Sequence, residues 1–175
     1  MTTIYLMRHG QSQANIEGVF ANGNDGFPLT DEGRMQAKLA ARHLKLRNIR
    51  KIYTSPILRA RETSHIVSSN LGIEPQLLDE IREFHVGELE GQLIEGEAEG
   101  AFLGLIRSWI DGRIDERIPN GESHREVIDR FRKAMNTVVS ECPEGEVLMV
   151  SHGGFLSMTL PFVCNGIDPR SFFSR

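Results

Sequence analysis

Ile4-Tyr5-Leu6-Met7-Arg8-His9-Gly10 and Val147-Leu148-Met149-Val150-Ser151-His152-Gly153-Gly154 are two apolar, β-prone runs that each stop at a histidine followed by glycine. A buried strand that ends this way presents an imidazole at the carboxyl edge of a sheet, where open α/β sheets bind their ligands. The two histidines are therefore expected to meet. Glycine after each one removes a side chain that would shield the ring and lets a ligand approach the backbone closely. Arg8 adds a planar cation suited to bidentate contact with phosphate or carboxylate. The pattern predicts a catalytic site, with phosphate as the first candidate ligand.

Working outward, strands are expected over Thr2 to Arg8, Lys51 to Ser55 and Glu146 to His152, each short and rich in Ile, Val, Tyr or Leu. Helical patterns lie between them. Thr30 is a candidate N-cap for a helix to about Leu46, with Met35, Leu39 and Ala40 on one face. Ser55-Pro56 reads as a capping hydroxyl with proline at the first helical position, leading to about Asn70. From Glu122 to Glu141, Val127, Phe131, Ala134, Met135 and Val138 recur at helical spacing. Gly153-Gly154 opens a fourth helix, which Asn165-Gly166 and Pro169 should end. Alternating strands and helices predict an α/β three-layer αβα sandwich, a mainly parallel central sheet with helices on both faces. Residues 19–28 have loop composition and read either as a substrate-facing lid or as a plain connection. The acidic stretch Glu88 to Glu99 reads as a solvated helix face.

A chain of 175 residues suits one domain, here 1–175, with a substantial core. A net charge of −4 and a pI near 5.9 argue against a general nucleic-acid binder, so the cations that matter must be local. No stretch is long and apolar enough to span a membrane. Cys142 and Cys164 show no metal-ligand spacing and read as reduced thiols. His9 lies too near the N-terminus for a cleaved leader to precede it, so a cytoplasmic protein is expected.

The series Leu6-Met7-Arg8-His9-Gly10-Gln11-Ser12, then Asn15, then Pro28-Leu29-Thr30 with Gly33 and Gln36-Ala37, resembles the first motif of the histidine phosphatases, the phosphoglycerate-mutase-like superfamily. Ser55-Pro56-Ile57-Leu58-Arg59-Ala60 with Glu62-Thr63 is similar to its second motif. Leu78 to Gly87 with Glu90-Gly91 resembles the segment that bears the family's acid, and Pro119-Asn120-Gly121-Glu122-Ser123 and Ser151-His152-Gly153 complete the order. The resemblance implies that His9 is a nucleophile forming a phosphohistidine, that Arg8, Asn15, Arg59 and His152 bind phosphate, and that Glu83 is the proton donor. Elementary chemistry agrees where it speaks. A neutral imidazole nucleophile needs its other nitrogen held as a donor, flanking arginines disfavour the imidazolium, and phosphoryl transfer needs spread-out charge stabilised. One carboxyl can serve both half-reactions, but spacing alone leaves Glu80, Glu88 and Glu90 as alternatives to Glu83. Arg61 reads as a solvated helix residue. His43, His65, His85 and His124 read as surface residues or residues behind the pocket, with a pocket-lining place as the alternative for His85 and His124, which lie close to matched motifs. No cofactor and no metal are expected, because the cations already supply the charge.

The family loop usually reads Asp, one residue, then Pro-Leu-Thr; here Asp25-Gly26-Phe27-Pro28 carries an extra residue. Asn120 stands for a usual glycine, and Gln92-Leu93 for a polar-Thr step. These departures fall on the leaving-group side and bear on substrate identity. Phe172-Phe173 close to the last residue read as a shortened chain lacking its C-terminal strands, a disordered remainder, or an edge completed by a homodimer partner. The expected activity is phosphomonoesterase action on a small phosphorylated metabolite. The alternatives are a phosphoglycerate mutase, whose insertion between the acid and the second histidine is longer, and an inactive phospho-ligand sensor.

Overall fold

A computed structural model describes residues 1–23 and 26–170. Asp25 and the Phe172-Phe173 pair lie outside the described residues. The elements run β1 (Thr2–Arg8), α1 (Gln13–Glu17), α2 (Asp31–Leu44), β2 (Ile49–Thr54), α3 (Leu58–Leu71), β3 (Pro75–Leu77), two 3₁₀ turns (Asp79–Ile81 and Gly87–Leu89), α4 (Gly96–Ile110), α5 (His124–Glu141), β4 (Gly145–Ser151) and α6 (Gly153–Val163). The four strands form one parallel sheet in the order β1-β4-β2-β3.

Period-two alternation divides each strand between two cores. Ile4 and Leu6 of β1, Tyr53 of β2, and Val147 and Met149 of β4 face a cluster with Trp109 of α4, Val127 and Phe131 of α5, and Phe155 of α6. Tyr5, Met7, Ile52, Leu148 and Val150 face the opposite side, against Ala41 of α2 and Ala60 and Val67 of α3. The result is the three-layer αβα sandwich expected from strand–helix alternation. A register shift between Ile49 and Lys51 of β2 lets Ile49 join the same cluster as Ile52 despite their odd spacing.

Thr30 caps α2 as expected: its hydroxyl accepts from Gly33 N at 3.0 Å, a contact of roughly 1 kcal/mol. Ser123 caps α5 in a reciprocal box with Glu126. The Ser55-Pro56 reading needs correction, since α3 begins at Leu58 after Ile57. The Ser55 hydroxyl is instead committed to a strand-end histidine, described below. α6 ends at Val163, with Pro161 inside its last turn, two residues before the expected Asn165-Gly166 stop.

Register places the site. Arg8 pairs with Ser151, His9 N donates to Ser151 O at 2.9 Å, and Ser55 N donates to Val150 O at 2.9 Å. β1, β4 and β2 therefore finish level. Their next residues, His9, His152 and Ser55, share one carboxyl edge.

Candidate active site

His9 and His152 do meet, with ring centroids 5.1 Å apart and planes tilted by 58°. His9 Nδ1 lies 2.7 Å from Gly10 O, and because a carbonyl only accepts, that nitrogen carries the proton. The Nε2 lone pair is then available, and Arg59 Nε donates to it at 3.0 Å. Arg59 is itself buried and also donates from Nη1 to Ala21 O at 2.8 Å. Burial first, and the Arg59 and Arg8 guanidiniums next, push the His9 pKa down from 6.5 to about 3, against the opposing pull of the Gly10 carbonyl. His9 is thus a neutral imidazole at physiological pH, of the tautomer a nucleophile requires.

His152 is fully buried, and burial followed by Arg59 keeps its pKa well below the usual value. Its Nε2 lies 2.7 Å from Ser55 Oγ. That oxygen also accepts from Ile57 N at 3.3 Å. The other ring nitrogen, Nδ1, is buried and has no hydrogen-bond partner among the described residues.

The Gly10 finding corrects the reading that glycine there serves ligand approach. A Cβ on Gly10 would strike the backbone of Gly33 at the start of α2, so the requirement is close packing of the β1 turn on α2. Thr63 of α3 completes the lock, accepting from Gly10 N at 3.1 Å while donating to Arg59 O at 2.7 Å. A Cβ on Gly153 would sit 3.0 Å from Arg8 Nε, so that glycine makes room for the Arg8 side chain.

Glu83 is the carboxyl of the site. It lines the same cavity as His9, Arg8, Arg59 and Asn15, a space of about 260 Å³. Its Oε1 accepts from Phe84 N at 3.1 Å and its Oε2 from Gly154 N, in the first turn of α6, at 3.0 Å. Burial pushes its pKa up, against the lowering effects of those amides and of Arg59. The alternatives are occupied elsewhere. Glu80 pairs with Lys133 at 2.5 Å, Glu88 accepts from Asn120 at 3.4 Å, and Glu90 binds Asn22 N and Gly23 N. Asn15 Oδ1 accepts from Ser12 N and Ser12 Oγ, at 3.0 and 3.1 Å, which leaves its Nδ2 to face the cavity as a donor.

Two residues that sequence reasoning missed hold Glu83 in place. Arg130 of α5 pairs in bidentate fashion with Glu122, at 2.7 and 3.0 Å, and donates from Nη1 to the carbonyls of Glu80 and Arg82. Glu122 also accepts from His85 N at 2.8 Å. Because both side chains are only 13–14% exposed, this pair is a fixed clamp on the segment bearing Glu83. Neither residue carried a sequence signal beyond its place in a motif or helix.

His85 and His124 do not line the cavity. His124 stacks on Trp109 with centroids 5.0 Å apart, bonds Met158 O at 2.7 Å, and serves the core. His85 faces a separate cavity with Asn22 and Gly23. Arg61 is exposed, as expected of a helix surface residue. From the loop after α1, Val19, Phe20, Ala21 and Asn22 line the cavity that holds His9. A larger cleft of about 540 Å³ beside α3 contains neither strand-end histidine, and its Arg34 pairs with Glu62 at 3.1 Å. Volume is therefore no guide to the chemistry here.

The chain belongs to the histidine phosphatase superfamily (branch 1), whose profile matches residues 4–174. A probable phosphoglycerate mutase GpmB from Cronobacter sakazakii (strain ATCC BAA-894) is 35% identical over 153 residues, covering 87% of this chain and 70% of that protein. Among solved structures, mycobacterial glucosyl-3-phosphoglycerate phosphatase is similar with a TM-score of 0.76 at 27% identity, over 87% of this chain and 74% of its own. Bacillus stearothermophilus YhfR is similar with a TM-score of 0.82 at 28% identity, over 100% and 85%. The relatives thus carry both mutase and phosphatase names. Among the described residues, no helix is long and apolar enough to cross a membrane.

Proposed function

We propose that the protein is a phosphomonoesterase that hydrolyses a small phosphorylated metabolite through a phosphohistidine on His9, without a cofactor. The observation that carries this reading is the tautomer of His9. Nδ1–H is fixed on Gly10 O, Nε2 bears a lone pair in a cavity rimmed by Arg8, Arg59 and Asn15, and a protonatable carboxyl lines the same cavity. In the first step Nε2 bonds to phosphorus as the ester P–O bond breaks, and the Glu83 proton goes to the departing alkoxide. As the lone pair goes to phosphorus, Arg59 Nε turns from His9 to a phosphoryl oxygen. With its ring proton on Nδ1, otherwise a buried nitrogen without a partner among the described residues, His152 is suited to donate to a second oxygen. In the second step Glu83 takes a proton from water as its oxygen attacks phosphorus and the P–N bond breaks. Inorganic phosphate and neutral His9 are regenerated.

The name of the GpmB relative favours a mutase as the second reading. Release of phosphate from p-nitrophenyl phosphate by the purified protein, with no bisphosphoglycerate-dependent interconversion of phosphoglycerates, is the expected result. Isomerisation without net phosphate release would establish the mutase, and absence of both would leave a phospho-ligand sensor. With Cys142 and Cys164 both free thiols, we place the reaction in the reducing cytoplasm.

A further inference from the structure

The cavity that holds His9 is lined by two kinds of residue: donors, from Arg8, Arg59, Asn15 and the first turn of α6, and apolar side chains, from Val19, Phe20, Phe84, Ile94 and Phe102. Phe84 follows Glu83 in the chain, and both approach Gly154. With the departing oxygen at the Glu83 carboxyl, the remainder of the alcohol meets this apolar wall.

The apolar wall is built by deliberate pairing of distant segments. Val19 bridges Leu93 in antiparallel fashion, Phe20 N donates to Gln92 O at 2.9 Å, and Ile94 N donates to Gly18 O at 2.6 Å. The ring of Phe102, on α4, is 5.1 Å from that of Phe20 and stacks at 6.0 Å on that of Phe84. Phe102 is half-buried and Ile94 keeps 44% of its surface exposed, so both offer apolar surface to an occupant of the cavity.

Charge and size narrow the ligand. Among the described lining residues the permanent cations are Arg8 and Arg59, and both act electrostatically on His9. A second anionic group on the alcohol would meet no further cation among those lining residues. The whole cavity, about 260 Å³, falls below the roughly 300–1,000 Å³ of sites for drug-sized ligands. After the phosphoryl group is seated, the remaining space suits a single ring.

We propose that this apolar wall selects small, flat, apolar alcohols, and that Phe102 and Ile94 set the selectivity. The preferred substrates are phosphomonoesters of a small aromatic alcohol, and phosphoglycerates are poor ones. The inference rests on the phosphatase reading above.

Benzyl phosphate, glycerol 3-phosphate and 3-phosphoglycerate all depart as primary alkyl alcohols, so Glu83 has the same task with each and their kcat/KM ratios read the wall. Benzyl phosphate should exceed each of the others by about tenfold or more, the scale of one to a few methylenes in an apolar pocket. Phe102→Ala should shrink that preference. Ile94→Arg, at an exposed position that cannot disturb the core, should lower the benzyl-to-phosphoglycerate ratio by about tenfold. A wild-type ratio near or below one, or a ratio unmoved by Ile94→Arg, overturns the selectivity while p-nitrophenyl phosphate is still hydrolysed. Failure to hydrolyse p-nitrophenyl phosphate as well as the three alkyl esters overturns the phosphatase reading itself.

Discussion

Replacing His9 by glutamine should change how the protein's stability responds to acid. The His9 pKa is about 3 in the folded chain against 6.5 for a free ring. A lowered folded pKa means that the unfolded chain binds the proton first, so the stability due to neutral His9 is complete above 6.5 and is lost as pH falls toward 3. Each unit between the two values corresponds to about 1.4 kcal/mol. At pH 5 about one and a half units have been traversed, so the wild type should lose about 2 kcal/mol on this account relative to pH 8. His9→Gln has no such group. Other titrating residues cancel in the comparison, and at pH 5 His9 is uncharged, so its removal leaves the field at His152 unchanged. Urea denaturation of both proteins at pH 8 and pH 5 measures the double difference. The wild type should lose about 2 kcal/mol more than the variant. Equal losses would mean that the ring titrates near its ordinary value in the folded protein, and the argument for a permanently neutral nucleophile would fail.

Glu83→Gln should lower kcat/KM, which reports the first half-reaction, by at least about a hundredfold for an alkyl phosphate and far less for p-nitrophenyl phosphate, because only a poor leaving group needs the proton; equal losses without accumulation of the phosphohistidine would reduce Glu83 to a positioning role. Gly154→Ala puts a Cβ 2.9 Å from both Glu83 Oε1 and Phe84 Cε1. That variant should reproduce the leaving-group signature of Glu83→Gln although alanine favours the helix, and wild-type turnover of alkyl phosphate would show that the carboxyl is not confined as described. Activity should persist in excess EDTA, since Arg8, Arg59 and His152 supply the charge stabilisation. Loss on chelation, restored by one divalent ion, would point to a metal-dependent step.

The elements legible in the sequence were those whose signal is local. β1 and β4 are β-prone runs ended by histidines followed by glycine, α2 opens on the Thr30 hydroxyl, which bonds as expected, and α5 carries apolar residues at helical spacing. α4 was read only as an acidic face, because Gly96, Gly100 and Gly104 interrupt it and Glu95 makes no side-chain cap. A usable signal was present, since Phe102, Leu105, Ile106 and Trp109 recur at helical spacing. Missing that helix meant missing Phe102 in the cavity wall. β3, three residues beginning with proline and ending in an exposed Leu77, owes its place to pairing with β2 and has no pattern of its own. Glu83 could not be separated from Glu80, Glu88 and Glu90 by spacing, because the difference between them is burial and the amide of Gly154, which tertiary packing decides. The alternative place for His124 in the pocket falls for the same reason: its neighbour in sequence is a motif, but its neighbours in space are Trp109 and Phe162.

The central claim is a covalent phosphohistidine on His9, and rapid-quench labelling with a phosphate-labelled monoester tests it most directly. The account predicts label that is acid-labile and base-stable, that maps to the peptide containing His9, and that is absent from His9→Ala, whose kcat should fall below about a thousandth of the wild type. Label on another residue, no label under conditions of rapid turnover, or a His9→Ala variant above that limit would contradict it.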